Sequence, residues 1–513
     1  MTPSGPLLFT ILHAVASLHA PPASTLIVGA RVLDGSGSPA QLVSVRIIGD
    51  RIADVGNIRQ RPGDSVIVGN DLVLAPGFID THSHADDEIL THRDALADVS
   101  QGVTTIVGGQ DGGSNYPLAD YFAKLEKTPG AINVASYVGH GTLRSQVMGK
   151  DFRRAATAEE VTRMQQLLAT EMKSGALGLS TGLEYDPGIY SDPSEVLALA
   201  RTAAADGGRY ISHMRSEDRA FWSALDELIT IGRENKMPVQ VSHMKLGMRS
   251  LWGQADSLTS ALNRARASGV DVTADIYPYT AWHSDLEVLF PKRDFDNRAS
   301  AAYALSEVVS GDSLWVTKYA PEPSYTGKRL SEISAMRHSD DTTTLMALIK
   351  QAQAFEASTH QEDVENIIGV GMSDADVAKL IAWPWSNICS DGELDGPHPR
   401  GFGAFTKILR RYVRELHVLT LEEAVRKMTT LAASNVGIDD RGRISVGMYA
   451  DLVLFDPTTV TDKSTMEQPH AVSIGIRRVW VNGVVVFDGA KATGAFPGRV
   501  VRRPVAAPAK SPD

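Results

Sequence analysis

The sequence predicts an α/β protein: a (β/α)8 TIM-like barrel with a small β-sandwich domain built from both ends of the chain. Three observations carry this expectation. Strand-like apolar runs alternate with helix-like stretches through the middle, as parallel βα units do. Short β-branched runs punctuated by Gly and Asp occupy the segments on either side. One long stretch late in the alternation is too long to be a simple connection. The 513 residues suffice for a large core and more than one domain. A hydrophobic content of 43% with 22% charged residues is that of a globular chain, which sets aside fibrous and disordered classes. The formal net charge of −11 argues against a nucleic-acid partner and a polybasic membrane patch. Cys389, the single cysteine, excludes an intrachain disulfide and any cysteine-cluster zinc site. Beyond the N-terminal leader, no apolar run approaches the ~18 residues of a membrane-spanning helix.

Residues 1–23 stand apart. Pro6 to Ala20 is apolar and uncharged and ends before two prolines, which reads as an export signal without a basic start, or as a disordered leader of a cytoplasmic protein. Residues 24–74 read as the first part of the sandwich and 441–505 as the second, followed by a tail, 506–513. In the second part, Val479–Phe487 predicts a hairpin turning at Asn482-Gly483, a pair that tolerates the positive φ of a type I′ turn. The barrel is expected over 75–440. Its strands are expected at Ala75–Ile79, Thr104–Gly108, Asn133–Val138, Ala176–Ser180, Arg209–Ser212, Val239–Ser242, Asp271–Ile276 and Asn387–Ser390. Thr157 with Glu160, and Thr420 with Glu423, have the spacing of capping boxes that start helices, and Gly175 sits where the first of these helices should stop. Residues 281–384 are expected to form an inserted subdomain or lid.

In such a barrel, function gathers at the C-terminal strand ends, and the polar residues there form a pattern. His82 and His84 end the first strand, two apart and so on one face. Asp111 follows the second strand and Glu184 the fourth. His213 and His243 end the fifth and sixth, and Asp391 follows the eighth. Four histidines and three carboxylates on one rim supply the nitrogen and oxygen ligands of one or two divalent metal ions. Tyr185 beside Glu184 is a further candidate contact.

Several motifs carry a resemblance. Pro76-Gly-Phe-Ile-Asp-Thr-His-Ser-His84 and Val446-Gly-Met-Tyr-Ala-Asp-Leu-Val-Leu454 resemble the amidohydrolase superfamily. Gly139-His-Gly-Thr-Leu-Arg144, Gly175-Ala-Leu-Gly-Leu-Ser-Thr-Gly182, His213-Met-Arg, Ser242-His-Met-Lys245, Tyr277-Pro-Tyr279 and His398-Pro-Arg400 narrow it to the N-acyl-D-amino-acid deacylase (D-aminoacylase) family, over about residues 25–505. The resemblance implies hydrolysis of the amide bond of a small N-acyl-D-amino acid by metal-activated hydroxide. His82, His84, His213, His243 and Asp391 match the family's ligands, and Asp391 its proton shuttle. Lys245, Tyr279 and Arg400 are implied to hold the substrate carboxylate, with His398 beside Arg400. Where the family's better-known members carry Asn-Cys-Gly, this chain has Gln110-Asp111-Gly112. A carboxylate is harder than a thiolate, so alongside zinc, Mn, Co or Fe become admissible. Either Asp111 or Glu184 is left as the bridging carboxylate.

Two motifs point elsewhere. Gly178-Leu-Ser-Thr-Gly182 fits a serine nucleophile elbow and Ser242-His-Met-Lys245 fits Ser-x-x-Lys, but the first leads into a loop and the second lacks its partner motifs. A cyclic amidase of the same superfamily normally carries a lysine on the fourth strand, and Ala176–Tyr185 has none. A peptidase for another C–N amide would use the same ligands, and a non-catalytic scaffold would have lost them. His140 is read as structural, and His283 as a surface or packing residue.

Overall fold

The computed structural model describes residues 24–504; the leader and the tail expected at the two ends lie outside them. Parallel strands dominate the middle of the chain. They are β1 (Phe78–Asp80), β2 (Val103–Gly108), β3 (Asn133–Ser136, resumed at Val138–Gly139), β4 (Gly178–Gly182), β5 (Arg209–His213), β6 (Val239–Ser242), β7 (Val272–Ile276) and β8 (Ser386–Ile388). Each pairs in parallel with the next in sequence. Just beyond β8 and β1, Ser83 and Gly392 form a parallel bridge, with Asp391 N donating to His82 O and His84 N to Gly392 O, both at 2.9 Å. The strands are buried on both faces, as parallel strands covered by helices are, and many of their Val, Ile and Leu side chains enter one large buried cluster with the helices between them.

The expected strands shift in three places. The run Ala75–Ile79 is divided at Gly77: Val73–Pro76 pairs with Arg31–Val32 and Leu452–Phe455, while Phe78–Asp80 starts the parallel series. A Cβ at Gly77 would lie 2.3 Å from the Thr104 side chain, so only glycine lets the chain pass between the two layers. The third run breaks at Tyr137. The fourth begins at Gly178 rather than Ala176, which puts Ser180 inside a strand, fully buried. Its Oγ accepts from Gly112 N, so it is no exposed nucleophile.

Helix starts follow their caps. Thr157 and Glu160 form both hydrogen bonds of a capping box. Thr420 accepts from Glu423 N, but the reciprocal bond is not made. The Glu423 carboxylate is held instead by Arg426, at 2.8 Å from both Nε and Nη2.

Two sheets lie outside the parallel series. One orders Arg51–Gly56, Ser44–Ile48, Ser24–Val28 and Asp64–Val68; the other is seven-stranded and mixes strands from both ends of the described chain. Ile27, Val45, Leu74, Leu452 and Trp480 form a separate core with both. The hairpin at Asn482-Gly483 forms, with φ of 48° and 78°. After β7 the chain builds a mainly antiparallel sheet, Ala281–Ser284, Glu365–Val370, Leu314–Tyr319 and Lys328–Arg329, with its own buried cluster. The helix Asp374–Ala382 then returns Val377, Leu380 and Ile381 to the main core. No helix among the described residues is long and apolar enough to cross a membrane.

Candidate metal centre

At the C-terminal strand ends the side chains converge. His82 Nε2 lies 3.3 Å from His84 Nε2 and 3.2 Å from Asp391 Oδ1; His84 Nε2 is 3.1 Å from the same oxygen. Asp111 Oδ2 stands 3.5 Å from each of these two imidazole nitrogens and 3.4 Å from His243 Nε2. Donor atoms close enough to share one ion fall into three groups: His82, His84, Asp111 and Asp391; Asp111, His213 and His243; and Glu184, His213 and Glu217. Asp111 is the carboxylate common to the first two. Glu184 is in neither; its oxygens face His213 Nε2 at 3.0 Å and accept from Glu217 N at 2.6 Å.

The backbone is arranged for this. Asp111 and Asp391 both sit in the left-handed region, at φ 51° and 52°, a conformation that costs a non-glycine residue of order 1 kcal/mol and is retained where surrounding structure demands it. Behind His82, Nδ1 meets Ser242 Oγ at 2.5 Å and that hydroxyl donates to Asp275 at 3.1 Å. The hydroxyl's proton is thus committed to Asp275, so His82 carries its own proton on Nδ1 and turns the Nε2 lone pair into the cluster. Burial alone would raise Asp391, but Arg400, then His243 and His82, outweigh it and hold the carboxyl well below its usual range. Arg400 Nη1 is 2.5 Å from Asp391 Oδ2. The same contest, with His82 and His243 against burial, keeps Asp111 ionised.

These residues fit divalent ions. The Nε2 atoms of His82, His84 and His243 lie 3.1–3.5 Å from a carboxylate oxygen, so each shares a proton with that oxygen or, on losing the proton, offers its lone pair to a cation among them. Asp111 Oδ1, His213 Nδ1 and His243 Nδ1 are moreover buried without a hydrogen-bond partner. The set is nitrogen and oxygen only, suited to zinc and to harder first-row ions alike.

The remaining expected contacts divide. Tyr185 lines the cavity, its ring 4.4 Å from that of His213. Lys245 and Arg400 line it too, but Lys245 Nζ is 2.8 Å from Glu217 Oε2, so each faces an internal carboxylate. Arg400 keeps Nε without a partner. Tyr279 is a correction: the structure turns it away from the cavity, its OH donating to Pro399 O at 3.3 Å and its ring under the Lys407 ammonium. β7 ends at Ile276, and Tyr277 takes the inner place, its ring 5.7 Å from His243 and 5.0 Å from the Arg400 guanidinium. His398 is also corrected. Both its nitrogens are used internally, Nε2 toward Ala281 O and Nδ1 accepting from Arg400 N, so it positions Arg400 and does not line the cavity.

Sequence reasoning missed Glu217 and His283. Glu217 follows His213 by four residues and pairs with Lys245, a spacing that was available as a signal. His283 lines the cavity with Nε2 buried and unpartnered, and no motif marks it. His140 is held by Glu195 at 2.7 Å, in a structural network with Arg144.

Histidine and carboxylate donors gathered at the ends of parallel strands define a metal-site protein of the α/β class. A family model described as the amidohydrolase family matches residues 69–386 and 322–487, and the chain belongs to that family. It is 36% identical to an N-acyl-D-glutamate deacylase of Alcaligenes xylosoxydans xylosoxydans, over 93% of this chain and 96% of the relative. A solved D-aminoacylase, studied for its binuclear metal centre, superposes with a TM-score of 0.83 at 35% identity, covering 94% of this chain and 100% of that one. An N-acyl-D-glutamate deacylase of Bordetella bronchiseptica, bound to zinc and a phosphonate mimic of the tetrahedral intermediate, gives 0.83 at 33% identity, covering 94% and 100%.

Proposed function

We propose that the protein is a metal-dependent hydrolase that cleaves the amide bond of N-acyl-D-amino acids. One observation carries the reading: Asp111 belongs to two adjoining donor groups at the mouth of a cavity of about 1160 Å³, with Asp391 and Arg400 in its wall. His82, His84, Asp111 and Asp391 would hold one ion and Asp111, His213 and His243 a second, with Asp111 as the bridge. When bound, the metal supplies Lewis acidity, polarising the substrate carbonyl and lowering the pKa of water.

The chain's own residues do the rest. Asp391, kept ionised and oriented by Arg400, accepts a proton at a carboxylate oxygen from the attacking water and returns it to the leaving nitrogen. Arg400 Nε and the Lys245 ammonium offer donors to the substrate α-carboxylate. A fixed carboxylate and a fixed carbonyl leave the side chain of only one enantiomer room in the cavity. The Tyr277 and Tyr185 rings narrow the approach of bulk water.

The same reading extends to architecture. The Ser83–Gly392 bridge supports closure of the eight strands into a barrel. The core shared by residues 24–74 and 441–505 supports a two-terminus sandwich, and the separate cluster after β7 supports an insertion over about 281–384 that covers the site. The relatives named above act, by their names, on N-acyl-D-glutamate and related compounds, which supports the substrate class. The test is turnover of N-acetyl-D-Met, D-Leu, D-Phe and D-Glu against their L forms, with zinc, manganese and cobalt. Hydrolysis of D forms is expected; no D turnover, or faster L turnover, rejects the reading.

A further inference from the structure

The cavity that opens from the donor cluster runs on into the inserted segment, where its wall is acidic. The strand Ala281–Ser284 leaves the neighbourhood of Arg400 and leads to that wall. His283, 3.7 Å from Glu393, lines the cavity from this strand, and Asp285, just past the strand's end, lines it too, its Oδ1 accepting from Val288 N at 2.9 Å. Glu365 of the adjacent strand accepts from Leu286 N, the neighbour of Asp285, and lines the same cavity. Glu287 and Glu356 line the same part of the cavity.

Glu365 is only 8% exposed. Its Oε1 accepts from Leu286 N at 2.8 Å, but Oε2 is buried, has no partner and belongs to the cavity wall. Burial raises the Glu365 carboxyl well above its ordinary range, and Asp285, Glu287 and Glu356 add to the rise. Burial likewise raises Asp285. The cavity's cations pair with other carboxylates: Arg153 and Arg293 with Asp186 at 3.6 and 3.0 Å, Lys245 with Glu217, and Arg400 with Asp391. Arg293 also attracts Asp285, while no cation pairs with Glu365 among the described residues. A buried carboxyl among like charges keeps its proton until a cation arrives to hold it ionised, so the wall takes up a cation by releasing a proton.

We infer that this wall selects substrates bearing a cationic group remote from the scissile amide, an ammonium or guanidinium that donates to Glu365 Oε2 and Asp285. The inference rests on the deacylase reading above. An ammonium on the acyl group would present the same chemistry from the other side of the amide.

Neutral isosteres separate these cases. With the metal-loaded full chain, kcat/KM is compared for N-acetyl-D-Arg against N-acetyl-D-citrulline, and for 6-aminohexanoyl-D-Leu against heptanoyl-D-Leu. About a tenfold or greater preference for the cation is expected in one pair, and that pair identifies where the charge resides. Glu365→Gln, alone and with Asp285→Asn, is expected to reduce the cation-to-isostere ratio at least fivefold. Turnover of D substrates with no cation preference in either pair overturns the inference and leaves the deacylase reading standing, as does a ratio unmoved by both variants. If no D substrate turns over, the deacylase reading fails. The wall is then judged by thermal shift: D-arginine must stabilise the protein more than D-citrulline does, and equal shifts overturn the inference.

Discussion

The two ends of the same parallel strands treat buried polar groups in opposite ways. At the N-terminal end most of them satisfy one another, Arg441 Nε being an exception. Lys427, fully buried, donates from Nζ to Trp383 O, Ser386 O and Ser386 Oγ. Asn133, at the start of β3, donates to Asp451 at 3.1 Å and accepts from Asn482 at 2.8 Å, while Arg441 pairs with Asp451. At the C-terminal end, Asp111 Oδ1, His213 Nδ1 and His243 Nδ1 go unpartnered and imidazole lone pairs face one another. Polar groups that satisfy each other hold a fold together; polar groups that converge without satisfying each other are held ready for a ligand. The difference predicts that the two ends fail differently when altered.

The largest effect belongs to the C-terminal end. Asp391→Asn should lower kcat by about 10²–10⁴-fold while the circular dichroism spectrum stays native; near-normal turnover would remove its proton-transfer role. Metal content separates the shared carboxylate from the single-group ligands. Asp111→Ala should lose both equivalents and His84→Ala one, measured by elemental analysis after dialysis, and equal losses would break the assignment of Asp111 to both groups. Chelation should abolish activity, and added divalent metal restore it.

The N-terminal end should report stability instead. Asp451→Ala strands the buried Arg441 guanidinium and should cost about 3–5 kcal/mol in urea unfolding, with kcat per folded molecule little changed. Lys427→Met removes three donated bonds, of whose acceptors Trp383 O alone keeps other donors in Ser386 N and Oγ, and should cost about 1–3 kcal/mol. Burial lowers the Lys427 pKa from its ordinary value to about 7. Between that value and the unfolded pKa near 10.4 the unfolded chain binds more protons, so wild-type stability rises with pH relative to Lys427→Met across this window. A pH-independent difference in melting temperature would mean that the three oxygens keep the ammonium charged. Lys379→Ala removes an exposed 2.6 Å pair with Asp256 and should change stability by less than about 1 kcal/mol.

Much of this was legible in sequence because it is local. A His-x-His pair on a strand has one geometry, and Thr157 with Glu160 forms its capping box within four residues of chain. The donors at the ends of β1, β5 and β6 follow from strand periodicity alone. What failed did so through neighbours distant in sequence. Gly77 divides a strand because Thr104 packs against it. Tyr279 points away because Pro399 and Lys407 receive it. His283 lies in the cavity only because the antiparallel sheet that follows β7 brings it there.

The sequence by itself determined the alternation of strands and helices, the rim on which His82, His84, His213, His243 and Asp391 gather, and the absence of a thiolate ligand at Asp111. Periodicity and residue chemistry suffice for these, since both act over a few residues. Only the tertiary structure decided that Asp111 is common to two donor groups while Glu184 turns to His213 and Glu217. Only it brought the Asp285 and Glu365 carboxyls to the same cavity wall. Both results depend on side-chain directions at the ends of strands far apart in the chain, and those directions are set by packing across the whole core.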